Sequence, residues 1–134
     1  MTMDFVPFEL SKKLKEKGFN EQCLAYYTKD SDFYYNTSYD SDVENAFKSF
    51  NSRPNHICGK RIDAPTISQV LKWLRDEKNI ICLPHIEPIE EKWFFYVVRL
   101  PQASDFPEYM SLVIYDTYEE AAIAGIEHAL YNLI

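Results

Sequence analysis

The sequence predicts an α+β fold, a mostly antiparallel sheet of about three to five strands packed with helices. Three observations carry this. Apolar residues recur at helical spacing near residues 7–17, 42–51, 65–78 and 117–133, with β-type runs between them. The element order of helix, strands, helices, strands, helix lacks the regular alternation of a doubly wound sheet. The 134 residues include ten Tyr, nine Phe and two Trp but three Gly, enough aromatic surface to offset the entropy of ordering a single domain over 1–134.

The first helix is expected from Pro7 to Lys17. Proline suits the first helical position, Leu10 and Leu14 lie one turn apart on one face, and Gly18 supplies a left-handed stop. "CLAYY" at 23–27 reads as a strand with Leu24 and Tyr26 on one side and Cys23, Ala25 and Tyr27 on the other. "DFYYNTSY" returns beside it as a hairpin across the turn "TKDS". From Asp42 to Asn51, Val43, Ala46, Phe47 and Phe50 make one amphipathic set capped by Asp42, a short helix. "SRPNHICGKRID" then reads as a surface connection with a short extended piece at His56 to Cys58.

In "APTISQVLKWLRDEKNI", Pro65 opens a helix over 65–78 whose stripe is Ile67, Val70, Leu71 and Leu74. At about 100° per residue, Trp73 falls to one side of that stripe as a boundary aromatic, and Arg75 faces solvent on the other. "IICL" and "KWFFYVVRL" are β-type runs separated by the connection "PHIEPIEE". The second run is apolar on both faces, which predicts a central strand in a sheet covered, or partly covered, on both sides. "MSLVIY" at 110–115 reads as a further strand. The last helix, 117–133, opens with Thr117 and Glu120 at capping-box spacing. Its stripe is Ala122, Ile126, Ala129, Leu130 and Leu133, which leaves Glu120, Glu127 and His128 toward water.

The net charge of −7 is concentrated. Residues 101–134 carry Asp105, Glu108, Asp116, Glu119, Glu120 and Glu127 and no Lys or Arg, an acidic face that repels phosphate backbones and disfavours direct nucleic-acid binding. The longest apolar runs fall far short of the roughly 20 residues of a spanning helix, and Lys and Glu alternate through the first thirty residues, so neither a membrane span nor a signal peptide is expected. Three cysteines at irregular spacing make no disulfide framework, and a reducing cytoplasm is the expected setting.

The blocks "FVPFELSKKLKEKGFNEQCLAYY", "APTISQVLKWLRDEKNI" and "YDTYEEAAIAGIEHALYNLI" resemble, in that order, small uncharacterised proteins of phages and prophage-like elements of Bacteroides-type gut bacteria. They cover about half of the chain. The resemblance implies a mobile-element origin and a cytoplasmic setting, and it brings no activity, cofactor or catalytic residue.

Four side chains form the sharpest chemical pattern. His56 and Cys58 lie two apart on an extended piece, and Cys82 and His85 three apart across Pro84; together they have the donor types of a tetrahedral zinc site, without its usual paired knuckles. Cysteine catalysis would need a thiolate beside an oriented histidine, and no further signature supports it. The acids from Asp30 to Glu44 lack the glycine of a calcium loop. No Gly-rich phosphate loop, G-x-S-x-G or H-E-x-x-H is present. Tyr34, Tyr35 and Tyr39 sit among small polar residues, a composition suited to protein contact, and Trp73 adds an aromatic shoulder.

The reading these features favour is a non-enzymatic accessory or protein-interaction protein of a phage or mobile element, its partner another protein or a second copy of itself, with no cofactor. The alternatives are a zinc-stabilised domain or small hydrolase using the Cys/His set, and an acidic inhibitor that mimics nucleic acid.

Overall fold

The computed structural model describes residues 4–35, 61–101, 107–111 and 113–134. The expected helix near 42–51 lies outside the described residues, as do Tyr39, His56 and Cys58. The fold is α+β, and all four described strand pairings are antiparallel. The chain divides into two compact units, Met1–Thr66 and Ile67–Ile134, each built on its own three-stranded sheet.

In the first unit, α1 (Phe8–Glu16) begins one residue later than expected, because Pro7 serves as the extended N-cap rather than as the first helical residue. Gly18 ends it at φ +98°, and Phe19 N–H donates to Leu14 O at 2.9 Å. Strand β1 (Ala25–Tyr27) lies between β2 (Phe33–Tyr35) and β3 (Ile62–Ala64). The alternation expected from Cys23 to Tyr27 is present, with Cys23, Ala25 and Tyr27 buried and Leu24 and Tyr26 half-buried. On the buried face Ala25, Tyr27 and Ala64 join Phe5, and Phe8, Phe33 and Ile62 close around them. Small alanines on β1 and β3 leave room for these rings, which meet edge to face at 5.1–5.5 Å.

The second unit starts with α2 (Ile67–Lys78), which turns into β4 (Ile80–Glu87) through a single residue, Asn79, at φ +58°. The buried arc of α2 is Ile67, Val70, Trp73 and Leu74. It is rotated toward Trp73 relative to the expected stripe, and Leu71 becomes the half-buried margin. Strand β4 pairs along its whole length with β5 (Lys92–Arg99), which also pairs with β6 (Tyr109–Met110).

Strand β5 is central, as expected, with one face covered and the other partly covered. Phe95 and Val97 are buried, whereas Phe94, Tyr96 and Val98 are half-buried. Helix α2 packs on β4, α3 (Tyr118–Asn132) packs on both β4 and β5, and the two helices touch. Helix α3 contributes Ala121, Ala122, Gly125, Ile126, Ala129 and Leu130 to the core. Gly125 permits the close approach to the sheet, since a Cβ there would stand 3.2 Å from the Phe95 ring. No helix among the described residues is long and apolar enough to cross a membrane.

Candidate functional site

The proposed metal set is not assembled by the described residues. "PHIEPIEE" is not simply a connection: β4 runs through Pro84 to Glu87, and the turn begins only at Pro88. Cys82 and His85 are therefore three apart on one continuous strand and project to opposite faces. Cys82 is buried beneath α3, its Sγ 3.5 Å from Gly125 O, and burial pushes its thiol pKa up to about 12. His85 stacks against Phe94 and Tyr96 on the other face. Among the described residues no group of three or more His, Cys, Asp or Glu is placed to hold a metal ion.

Trp73, expected as a boundary aromatic over the rim of the core and a candidate contact, lies inside the core instead. It is 4% exposed, part of the buried arc of α2, with Lys78 Nζ 5.4 Å from its ring. Tyr34 and Tyr35 do reach the surface, at 49% and 50% exposure. Tyr34 stacks on Tyr26, its cross-strand partner, at 5.8 Å, and the Arg61 guanidinium lies 4.2 Å from the Tyr26 ring centre.

The second unit holds a concavity of about 400 Å³ lined by Phe95, Tyr109, Tyr115, Ala124, Glu127, His128, Tyr131 and Asn132. Its wall on the sheet side is set by backbone bonding. Phe95 N–H donates to Ser111 Oγ and Phe95 O accepts from Ser111 N–H, at 3.1 and 2.9 Å. Trp93 and Tyr115 exchange both backbone bonds, at 2.7 and 2.6 Å. These contacts hold Ser111 and Tyr115 against β5, and Tyr109 and Tyr115 lie 5.7 and 6.3 Å from Phe95 between ring centres.

The opposite wall is a second face of α3. Residues 124, 127, 128, 131 and 132 follow the spacing i, i+3, i+4, i+7, i+8, which aligns them along one side of a helix. Ala124 is small and leaves space where a longer side chain would fill it. His128, expected to face water, instead stacks on Tyr109 with ring centres 3.8 Å apart and 17° between planes. Asn132 Nδ2 lies 3.4 Å from His128 Nδ1 and donates to His128 O at 3.2 Å. With Nδ1 accepting from the amide, the neutral ring carries its proton on Nε2.

Electrostatics keep the lining neutral apart from one acid. Burial lowers the His128 pKa below its ordinary value, with Glu108 partly opposing this. The Tyr115 phenol is raised first by burial and then by Tyr109 and Glu127. Glu127 is exposed at the wall, and no Lys or Arg among the described residues forms an ion pair with it. The arrangement offers a ligand aromatic rings and one carboxylate. Its sequence signal is the run "AGIEHALYN", where a polar and aromatic stripe lies beside the apolar stripe of α3.

Compared with protein-family models, curated proteins and solved structures, the chain matches none.

Proposed function

We propose that this is a non-enzymatic recognition protein, an accessory protein of a phage or mobile element, which binds a protein partner by holding one of its groups in the pocket of the second unit. The observation that carries the reading is the pocket itself: four aromatic rings around about 400 Å³, with His128 held in place by Tyr109 and Asn132. Pockets of this size with aromatic walls and a few convergent polar groups are the usual form of a binding site. Rigid rings provide contact area at small entropic cost. The mobile-element setting rests on the three resembling sequence blocks, and the cytoplasmic one on that resemblance and on cysteine usage.

A second reading is favoured by one observation, the exposed Tyr34 and Tyr35 beside the stacked Tyr26 and Arg61 in the first unit. Affinity capture from the host separates the two, using wild type, Ala124→Phe to fill the pocket, and a Tyr34→Ala/Tyr35→Ala pair. The expected result is a partner retained by wild type and the tyrosine pair but lost with A124F. A partner retained by A124F and lost with the tyrosine pair would move recognition to the first unit. Equal retention by all three proteins would refute both.

A further inference from the structure

We propose that the pocket of the second unit selects an organic cation, a primary ammonium or guanidinium group, an inference that rests on this pocket being the recognition site. The lining includes the rings of Phe95, Tyr109, Tyr115 and Tyr131, and an aromatic face carries the negative part of the ring quadrupole. His128 covers Tyr109 and stays neutral, so it adds another ring without adding positive charge. Glu127 is the one acid or base besides His128 and the tyrosines among the described lining residues, and it is negative.

The surrounding charge has the same sign. No Lys or Arg occurs from 101 to 134, and the nearby cations of β5 are committed elsewhere, Arg99 to Glu108 at 3.6 Å and Lys92 to Asp116. An anion entering the pocket would meet aromatic rings and the Glu127 carboxylate, which repels it. A neutral group would gain contact area but no charge pairing. A cation gains both, and an alkyl stem behind its charged head can lie along the rings. The volume, about 400 Å³, is ample for the head and stem of a Lys or Arg side chain or for a free alkylamine of that length.

The test is titration of the intact protein with n-butylammonium and n-butylguanidinium, against n-pentanol as neutral and valerate as anionic counterparts, followed by calorimetry and by the ring resonances of His128 and Tyr131. The cations are expected to bind about tenfold or more tightly than the alcohol, with shifts at both rings, and valerate to cause none. Glu127→Gln should weaken the cations about tenfold and leave the alcohol unchanged, whereas Glu90→Gln, the same charge change in the exposed turn after β4, should alter neither. Capped Gly-Lys-Gly and Gly-Arg-Gly run alongside: tighter binding of a peptide than of its free cation assigns the group to a polypeptide partner, and the reverse assigns it to a free amine. If the alcohol binds as well as the cations, charge selection is wrong and the pocket remains a binding site. If no compound moves the two rings while the amide spectrum shows a folded chain, the pocket reading falls with it.

Discussion

At the scale of single residues, the buried carbonyl of Val6 joins three parts of the first unit. It accepts from Tyr27 Oη at 2.7 Å and from Ser11 Oγ at 3.2 Å, while Val6 N–H donates to Pro65 O at 2.9 Å. Burial raises the Tyr27 pKa, so the phenol remains a neutral donor throughout the working pH range. Tyr27→Phe and Ser11→Ala should each cost about 1 kcal/mol, and the double variant more than their sum, because the carbonyl then loses both side-chain donors inside the protein. Urea midpoints of the four proteins test this, and strict additivity would show that the two donors do not share one acceptor's desolvation. His128 offers a pH test. Its folded pKa is depressed, chiefly by burial, so below its unfolded value near 6.5 the unfolded chain takes up the proton first. The contribution of His128 is therefore complete above about pH 6.5 and declines as pH falls through the folded pKa. The groups facing it are Tyr109, Phe95 and Asn132, with Glu108 the acid that opposes the shift and Glu127 beside it on α3. The stability difference between wild type and His128→Gln, followed by denaturation from pH 7.5 to 5, should shrink toward acid; a constant difference would mean that the ring does not titrate there. His128 was misplaced by sequence because a histidine beside an apolar stripe reads as solvent-facing, and its stacking partner, Tyr109, lies 19 residues away on another element.

At the scale of elements, α3 shows what local pattern can and cannot specify. Thr117 Oγ1 accepts from Glu120 N–H at 3.1 Å, the capping geometry that their spacing announced. Thr117→Ala should cost about 1 kcal/mol, and Thr117→Asn should restore most of it; thermal midpoints of the three proteins check the pair, and equal midpoints would remove the cap from the account. Four of the five expected stripe residues, Ala122, Ile126, Ala129 and Leu130, are buried, while Leu133 at the C-cap is half-buried. The stripe was legible because helical periodicity is a local property. The rotation of the buried arc of α2 toward Trp73 was not, since it depends on what packs against that helix. Pro84 is the clearest failure of punctuation. Proline in "PHIEPIEE" reads as a break, yet Phe95, its partner on β5, turns its backbone N–H and C=O toward Ser111, so position 84 needs no ladder bond. Proline is tolerated there because β4 is an edge strand, and its missing N–H lies on the free edge, where it also discourages pairing with another chain. Edge position is a property of sheet order, which no local window contains.

At the scale of the whole molecule, charge separates the two units as sharply as topology does. Residues 67–134 hold eleven acids against five bases, while residues 1–66 hold ten against nine, so nearly all of the net −7 belongs to the second unit. Its described ion pairs are exposed and contribute little, and like-charge repulsion within the unit is therefore the larger electrostatic effect. Salt should accordingly stabilise the fold. Raising NaCl from about 10 mM to about 1 M shortens the screening length from roughly 30 to 3 Å and is expected to raise the thermal midpoint by about 4 °C, equivalent to about 1 kcal/mol for a chain of this size. The same screening should weaken n-butylammonium binding, because the attraction of a cation to Glu127 and the acidic surroundings is what the ions mask. Midpoint and affinity thus move in opposite directions along one salt series. A general effect of salt on apolar burial would strengthen both together, so parallel changes would show that neither the repulsion within the second unit nor charge selection in its pocket governs the behaviour of the protein.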